Sequence, residues 1–321
     1  MTDPQSAPDP QEMGGYHRAG RPAVGGRPAR PFVFDRAVIV GTGLIGGSIG
    51  MALRQRRLAR RVVAVARSEQ TLRLALERGA ADEATAALTD AVTGADLVVL
   101  AAPVSLIIEH LGIIAEVLRA DCVGARRALV TDVGSVKAPI VAAAEKMLPH
   151  PGRFIGGHPL AGSERKGIAA ARPNLLDGAM WILTPTAVTD EAALDRAEDL
   201  VARLGARSLL LSPQEHDDLL ARTSHLPHLV AAALVNVIAQ RAKRQAETLD
   251  VIGRGFRDAT RIAAGDASLW ADIALANSQA LLAALEEMHA SVSLFSAALK
   301  AGDRRELQRL LGDAQRAREE L

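Results

Sequence analysis

A glycine-rich turn limits what this chain can fold into more than any other feature. The segment Gly41-Thr-Gly-Leu-Ile-Gly46 follows an apolar run and opens a stretch with helical periodicity. Glycines permit the tight turn and the close approach of backbone to a pyrophosphate, and the helix start offers unbonded N–H groups. The turn therefore predicts a dinucleotide site. Its predicted cofactor-binding residues are Gly41, Gly43, Leu44, Ile45 and Gly46.

The apolar pattern predicts two domains. Up to residue 211, short apolar runs alternate with helical patterns, as in buried parallel strands joined by crossover helices. After residue 212 only Ala/Leu-rich helical spacing remains. We predict an α/β fold, a Rossmann-type doubly wound, mostly parallel sheet, followed by an all-helical dimerisation domain. The predicted bounds are 1–34 for a disordered tail, 35–212 for the dinucleotide-binding domain and 213–321 for the helical substrate and dimerisation domain.

Predicted strands cover residues 37–40, 62–66, 97–101, 128–131, 154–156, 180–184 and 208–211. Predicted helices cover 44–57, 69–78, 105–118, 136–147, 190–204, 213–245, 267–298 and 303–320, with a loop at 253–266. Ser212-Pro-Gln-Glu215 has the pattern of a capping box that starts the first helix of the second domain.

Composition excludes several function classes. There are 38 Lys and Arg against 37 Asp and Glu, so no global charge attracts nucleic acid or an anionic membrane. Aromatic residues make up 2% of the chain, too few for base-stacking platforms. A single cysteine, Cys122, excludes an internal disulfide and a cysteine-based zinc site. We expect a cytoplasmic protein without a transmembrane helix, a nucleic-acid partner or a metal.

Cofactor choice is indicated by the end of the second predicted strand, Val65-Ala66-Arg67-Ser68. NAD-specific sites place an acid there to bind the ribose 2′-hydroxyl, whereas Arg67 suits the 2′-phosphate of NADP and Ser68 adds a hydrogen bond. A solvated surface arginine is the alternative. We predict NADP or NAD as cofactor, with NADP favoured or both used. Ala102 and Pro103, at another strand end, are predicted to let the cofactor lie over the sheet edge.

Two further segments place reactive groups at this edge. Ser135 follows a predicted strand in Thr131-Asp-Val-Gly-Ser-Val-Lys137, where it is either a site residue or a helix N-cap. His158 follows the strand predicted at 154–156, between glycines and a proline. Because its pKa is ordinarily near neutrality, a histidine there suits removal of a hydroxyl proton while hydride leaves the same carbon.

The second domain contributes polar candidates of its own. Ser224 and His228 are spaced to share one helix face, which His225 partly joins. His216 is too far along the helix from these histidines for a metal site. Arg257 and Arg261 form a fork for a carboxylate if their segment is helical, and surface salt bridging is the alternative.

Five ordered motifs together resemble the prephenate dehydrogenase family, which includes arogenate dehydrogenases. They are Gly41-Thr-Gly-Leu-Ile-Gly-Gly-Ser48, Asp132-Val-Gly-Ser-Val-Lys137, Gly157-His-Pro-Leu-Ala-Gly-Ser-Glu164, Ser224-His-Leu-Pro-His228 and Gly255-Phe-Arg-Asp-Ala-Thr-Arg261. The resemblance implies oxidative decarboxylation of prephenate to 4-hydroxyphenylpyruvate in tyrosine biosynthesis. It departs from the NAD-using members at Ala66-Arg67.

The resemblance also implies residue roles. His158 matches the catalytic histidine that accepts the ring hydroxyl's proton, and Ser135 matches a serine hydrogen-bonded near it. Arg261 matches the arginine that holds a substrate carboxylate, and His228 matches a second pocket histidine. Ser224 and His225 are further predicted substrate-binding residues. Glu164 and Asp258 rank with them as groups that line or gate the pocket.

Several alternatives remain open. An arogenate dehydrogenase would convert arogenate to tyrosine with the same motifs. An NADP-dependent β-hydroxyacid dehydrogenase or a non-catalytic dinucleotide sensor would leave His158 and Arg261 without a role. An apolar stripe with helical spacing predicts a homodimer through the second domain. Its residues are Leu281, Leu282, Leu285, Met288, Val292 and Phe295.

Overall fold

The computed structural model describes residues 33–120, 128–162 and 166–320. Residues 1–32 of the predicted tail, Cys122 and Glu164 lie outside these residues. The chain forms two compact units. The first runs to Asp217 and takes in Gly265–Ala276, and the second comprises Asp218–Ala264 and the residues from Asn277 onward. The sequence pattern did not indicate that Gly265–Ala276 belongs to the first unit.

The first unit is built on a mostly parallel sheet. Its strands are β1 (Phe34–Val40), β2 (Ala59–Val65), β3 (Glu83–Thr85), β4 (Leu97–Leu100), β5 (Leu129–Asp132), β6 (Phe154–Pro159), β7 (Met180–Thr184) and β8 (Arg207–Leu210). Their order in the sheet is β3-β2-β1-β4-β5-β6-β7-β8, and the β6–β7 pair is antiparallel. This doubly wound arrangement confirms the predicted fold class for the first domain.

The helices follow the crossovers and then continue alone. They are α1 (Leu44–Gln55), α2 (Glu69–Glu77), α3 (Leu88–Val92), α4 (Val104–Ala120), α5 (Ala138–Met147), α6 (Glu191–Arg203), α7 (Pro213–Leu220), α8 (Leu226–Ala242), α9 (Arg254–Thr260), α10 (Ala267–Ala276), α11 (Ser278–Ala301) and α12 (Arg304–Glu320). A π-helical turn, Ala221–His225, joins α7 to α8, and a 3₁₀ turn, Arg261–Ala264, follows α9. None of the helices in the described ranges is long and apolar enough to cross a membrane.

The sheet is buried between two apolar layers. Alternate residues of each strand point to opposite faces, so Ala37 and Ile39 join one cluster while Val38 and Val40 join the other. Helices α1, α2 and α6 cover the first face, and α3, α4 and α5 cover the second. Strands buried on both faces read as continuous apolar runs, which is why most of them were predicted correctly.

The strand order creates a switch point at the carboxyl ends of the central strands. Val40 is in register with Val65 on one side and Leu100 on the other, and Leu100 is in register with Asp132. The loops after β1, β2, β4 and β5 therefore emerge along one edge. Successive strands are added to one side of β1 up to β3 and to its other side from β4 onward, so the strand order reverses between the parallel strands β1 and β4. Ligands of doubly wound sheets bind at such a point.

Two strand predictions were wrong in detail. The short edge strand β3 was missed because Glu83–Thr85 is only three residues long and not buried. β6 does not end at Gly156 as predicted but continues to Pro159, because its second half pairs with β7 in antiparallel register. His158 is consequently a strand residue rather than a loop residue.

The helical region also differs from the prediction. The helix expected at 213–245 is interrupted by the π turn, just before Pro227, whose missing N–H prevents an ordinary helical hydrogen bond. The helix expected at 267–298 breaks at Asn277, and the loop expected at 253–266 contains α9 and the 3₁₀ turn. The capping box is confirmed: Glu215 N–H donates to Ser212 Oγ at 3.2 Å, and Ser212 N–H donates to Glu215 Oε2 at 2.9 Å.

Candidate active site

Two glycines of the turn after β1 are required by close packing. Gly41 has φ of +94°, in the left-handed region that favours glycine, and a Cβ there would lie 2.3 Å from the carbonyl oxygen of Ala101. A Cβ on Gly46 would lie 2.1 Å from the carbonyl oxygen of Gly41. Neither backbone oxygen can move away easily, so these glycines hold α1 tightly against the sheet edge.

Gly43 has a different reason for lacking a side chain. Its φ of −82° suits any residue, and a Cβ there would meet no atom of residues 33–120, 128–162 and 166–320 within 4 Å. Gly43 is the N-cap of α1, no side chain in the described part of the chain caps this terminus, and the first turn of the helix has no acidic residue. Open space before an uncapped helix N-terminus, where Leu44 and Ile45 begin, fits the pyrophosphate of a dinucleotide.

The end of β2 fits the adenosine end of the same cofactor. Arg67 is exposed one residue beyond Ala66. Burial lowers the pKa of His110 on α4; the charge of Glu109 opposes this shift, and the charge of Arg67 adds to it. Ser68 is the N-cap of α2 and accepts from Thr71 N–H at 3.5 Å, so it also has a structural role.

Two small residues follow β4 along the same edge. Ala102 is half-buried and Pro103 is exposed just before α4 begins. The carbonyl oxygen of Pro103 accepts from Ile107 N–H at 2.9 Å in the first turn of that helix. Ala102 lies beside the Gly41 loop, because a Cβ on Gly41 would be 3.3 Å from its backbone nitrogen. The contact of Ala102 and Pro103 with the cofactor stays a prediction.

A carboxylate from a distant segment caps α5. The helix begins at Ala138 with Lys137 as its N-cap, so Ser135 is not the N-cap but lies half-buried in the loop after β5. Asp217 accepts from the backbone N–H of Lys137 at 2.6 Å and from that of Ala138 at 2.8 Å. A negative charge at a helix N-terminus is favourable, so α5 and Asp217 stabilise each other.

The Lys137 side chain is fully buried beneath this loop. Its Nζ donates to Asp132 Oδ2 and, at 2.8 Å, to the carbonyl oxygen of Gly157. Asp132 also accepts from the N–H groups of Gly134 and Gly157. Burial lowers the pKa of Lys137, against the opposing effect of Asp132. This pair joins the end of β5 to β6 at the point from which His158 projects.

His158 reaches the carboxyl edge because β6 extends beyond β5. Thr131, next to the last residue of β5, is in register with Ile155, and His158 lies three residues further along. The half-buried imidazole contacts that of His216 edge to face, with ring centroids 5.1 Å apart. Its Nδ1 lies 2.8 Å from Nε2 of His216.

His216 in turn contacts Asp217. Its Nδ1 lies 2.7 Å from Asp217 Oδ1, and the imidazole is completely buried. The pKa of His216 is lowered, chiefly by burial and also by the charge of Lys137, while Asp217 opposes the shift. Asp217, His216 and His158 thus form a continuous hydrogen-bonded chain, called here the histidine chain.

The predicted histidines of the second unit are buried near the π turn. His225 ends this turn and its Nδ1 lies 3.1 Å from Nδ2 of Asn277, at the break between α10 and α11. His228 follows in the first turn of α8, and burial lowers its pKa. Ser224 is half-buried within the turn. π-helical turns are rare and occur frequently at functional sites.

Both predicted arginines of the second unit are exposed. Arg257 lies in α9 and Arg261 opens the 3₁₀ turn after it. Asp258, predicted above to line or gate the pocket, forms an ion pair with Arg254 at 3.4 Å.

Sequence reasoning missed the histidine chain. Sequence reasoning considered His216 only as a metal ligand and named Lys137 only as the last residue of the segment that contains Ser135. Asp217 contacts residues 79 and 80 positions earlier, so no local pattern predicts the contact. The one local signal was the pair His216-Asp217, a histidine followed directly by an acidic residue in the first helix after the sheet.

Two family models match consecutive parts of the chain. Residues 49–210 match the model described as "Prephenate dehydrogenase, nucleotide-binding domain", and residues 212–313 match "Prephenate dehydrogenase, dimerization domain". The chain belongs to the prephenate dehydrogenase family.

Individual relatives agree with this membership. The family member from Bacillus subtilis named prephenate dehydrogenase is 34% identical over 253 residues, covering 79% of this chain and 67% of the relative. The cyclohexadienyl dehydrogenase of Zymomonas mobilis is 33% identical over 89% of this chain and 96% of its own. The Aquifex aeolicus prephenate dehydrogenase, solved with hydroxyphenyl propionate and NAD⁺, is 32% identical with a TM-score of 0.82, covering 89% and 98% of the two chains.

Family membership confirms several predictions made from the sequence. The fold, a nicotinamide dinucleotide as cofactor and a dehydrogenase activity are those of the family. The roles of individual residues, the choice between NAD and NADP, the domain bounds and the cytoplasmic location stay predictions.

Proposed function

We propose that this prephenate dehydrogenase family member oxidises and decarboxylates prephenate to 4-hydroxyphenylpyruvate, with His158 as the base. The observation that carries the proposal is the position of His158. Its imidazole projects at the sheet edge where the Gly41 loop leaves room for a dinucleotide. A base beside a hydride acceptor is what oxidation of a carbinol requires. The Bacillus subtilis and Aquifex aeolicus relatives carry the name of this activity.

In the reaction, His158 accepts the proton of the ring hydroxyl as hydride leaves the carbon that bears it. A bound dinucleotide supplies the acceptor for that hydride. Loss of carbon dioxide then makes the ring aromatic, so the step does not reverse. Ser135, on the loop held by Asp132 and Lys137, is proposed to orient the hydroxyl and the nicotinamide end of the cofactor.

The second unit is proposed to supply the groups that bind substrate. Prephenate is a dianion, and the guanidinium of Arg261 suits bidentate contact with one carboxylate. His228, Ser224 and His225 are proposed to line the substrate site. Burial lowers the pKa of His228, so at neutral pH it acts as a hydrogen-bonding group rather than as a charge.

Cofactor preference is proposed to depend on Arg67. The residue directly after Val65 at the end of β2 is Ala66 rather than an acidic residue, and the next residue, Arg67, is an exposed cation. This arrangement favours a 2′-phosphate and supports use of NADP, alone or together with NAD.

Arogenate is the second candidate substrate. Arogenate carries an amine where prephenate carries a keto group, and both have the cyclohexadienyl ring. One relative of nearly equal identity is named for this ring rather than for prephenate. The histidine chain and the glycine turn serve either substrate equally.

The deciding experiment uses purified protein and measures the absorbance of the reduced nicotinamide as it forms. Prephenate and arogenate are each tested with NAD⁺ and with NADP⁺. Turnover with prephenate is the expected result, and turnover with arogenate alone would transfer the proposal to that substrate. His158→Asn is the control and should lower kcat about 10²- to 10⁴-fold. Dinucleotide binding without turnover of either substrate would contradict the proposal and favour a hydroxyacid dehydrogenase or a sensor.

Assembly as a homodimer through the second unit is also proposed. Residues 212–313 match a model described as a dimerization domain. Two members of the predicted apolar stripe on α11 are not covered within one chain: Leu282 is 60% exposed and Val292 is 51% exposed.

A further inference from the structure

We propose that His216 is a positioning residue that, held by Asp217, keeps the proton of His158 on Nδ1 and makes Nε2 the basic nitrogen. The inference rests on the proposed function, because it concerns the base of that reaction. It assigns roles to two residues outside the five motifs that carried the family resemblance.

The first step of the argument is the orientation of Asp217. Its Oδ1 accepts from Lys137 N–H and its Oδ2 accepts from Ala138 N–H, so both oxygens are held by the start of α5. An ionised carboxylate can only accept hydrogen bonds. His216 Nδ1, 2.7 Å from Oδ1, must therefore carry a proton and donate it.

The second step is the protonation of His216. The ring is completely buried, which disfavours its charged form, and the buried ammonium of Lys137 acts in the same direction. Asp217 and Asp132 oppose this shift without overcoming it. A neutral imidazole with its proton on Nδ1 has an acceptor at Nε2.

The third step follows from the contact between the two imidazoles. His216 Nε2 accepts, so His158 Nδ1, at 2.8 Å, is the donor. A neutral imidazole has one N–H, so Nε2 of His158 carries the lone pair. The chain therefore selects the tautomer that a general base needs, and it restrains rotation of the ring.

The chain also stabilises the product of proton transfer. When the hydroxyl O–H bond breaks, its proton joins Nε2 of His158 and its electron pair stays on oxygen to form the carbonyl as hydride departs. The imidazolium keeps its Nδ1–H bond to His216, which is polarised by the Asp217 carboxylate beyond it. The charged groups that face His216 are Asp132, Lys137 and Asp217, and His158 is its titratable neighbour.

Two substitutions at His216 separate positioning from packing. His216→Phe keeps a planar ring but removes both nitrogens, whereas His216→Gln places a carbonyl oxygen as many bonds from Cβ as Nε2 is. With prephenate, we expect kcat to fall about 100-fold for Phe and about 10-fold for Gln, with KM within about three-fold of wild type. The acidic limb of the pH profile should move to lower pH in His216→Phe, because the imidazolium of His158 loses its acceptor.

A measurement on the resting protein tests the tautomer directly. In the full-length chain labelled with ¹⁵N-histidine, without substrate and above the acidic limb, the His158 signals should show the proton on Nδ1. The spectrum of His158→Asn assigns these signals. Because this readout needs no turnover, it separates a failure of this inference from a failure of the proposed function.

Three results would overturn the inference. One is a proton on Nε2 of His158 in the wild-type spectrum. A second is an equal loss of kcat in the two His216 variants, with an unmoved pH profile in the Phe variant. The third is an unchanged kcat in both. If His216→Phe does not fold, the tautomer of His158 in the wild-type spectrum and the kcat of His216→Gln still test the inference.

Discussion

At the scale of single residues, charged side chains must provide the discrimination that backbone groups cannot. A helix N-terminus such as that of α1 attracts any phosphate, so it does not distinguish NAD from NADP. The difference between the cofactors is a 2′-phosphate, and Arg67 is the exposed cation beyond the end of β2. The proposed substrate also needs a cationic side chain, because prephenate is a dianion and contacts with its ring do not neutralise the two carboxylates.

Arg67→Asp reverses the charge next to the proposed 2′-phosphate. We expect kcat/KM with NADP⁺ to fall at least about ten-fold relative to kcat/KM with NAD⁺, as a charge-assisted contact is replaced by repulsion. Initial rates with both cofactors measure the ratio. Arg73→Asp, the same charge change at an exposed position on α2, is the matched control. An unchanged ratio in Arg67→Asp would show that this arginine is only a solvated surface residue.

Arg261→Ala removes the proposed partner of a substrate carboxylate. A charge-assisted hydrogen bond contributes about 1.5–3 kcal/mol, so KM for prephenate should rise about ten-fold or more. Arg254→Ala removes a neighbouring guanidinium that pairs with Asp258 and should leave KM unchanged. Steady-state kinetics at saturating cofactor give both values. The same KM in both variants would assign Arg261 a structural role instead.

At the scale of elements, the turn between β1 and α1 contains one glycine needed for packing, Gly46, and one proposed to contact the cofactor, Gly43. Gly46→Ala places a methyl group against the carbonyl oxygen of Gly41 and should lower the free energy of unfolding by about 1–3 kcal/mol. Gly43→Ala meets no protein atom, so its Tm should stay within about 2 °C of wild type.

The Gly43→Ala variant also tests the cofactor site. It should raise the Kd for the dinucleotide about ten-fold or more, because the methyl group occupies space proposed for the pyrophosphate. Quenching of protein fluorescence by the reduced dinucleotide measures this constant. Unchanged affinity in Gly43→Ala would move the pyrophosphate away from Gly43.

The elements that the sequence predicted well are those whose patterns are local. Strands β1, β4 and β7 are apolar runs, and the start of α7 is a capping box. The continuation of β6 was not predictable in this way, because it depends on antiparallel pairing with β7.

The candidate site divides in the same manner. The glycine turn and His158 are visible as short motifs, whereas the contacts of Asp217 with Lys137 and Ala138 join segments about 80 residues apart. The sequence around Lys137 likewise did not indicate which groups contact its buried ammonium. Tertiary contacts of this kind have no periodicity in the sequence, so only the folded structure reveals the histidine chain.

At the scale of the whole molecule, the α11 stripe bears on assembly. Within one chain Leu281 is 3% exposed, but Val292 is 51% exposed and Leu299, one further position of the same spacing, is 67% exposed. A row of apolar side chains left open along a helix is typical of an interface. The family model matched by this region is described as a dimerization domain.

Val292→Glu places a charge on the open part of this stripe without breaking the helix. If the stripe lies in a homodimer interface, one carboxylate from each chain must be desolvated there, and the dimer dissociation constant should rise about 100-fold or more. Light scattering across a dilution series measures the mass. Ala290→Glu, at an exposed position away from the stripe, should remain dimeric. A Val292→Glu protein that stays dimeric at all concentrations would place the interface on another face, and a monomeric wild type would contradict the proposed assembly itself.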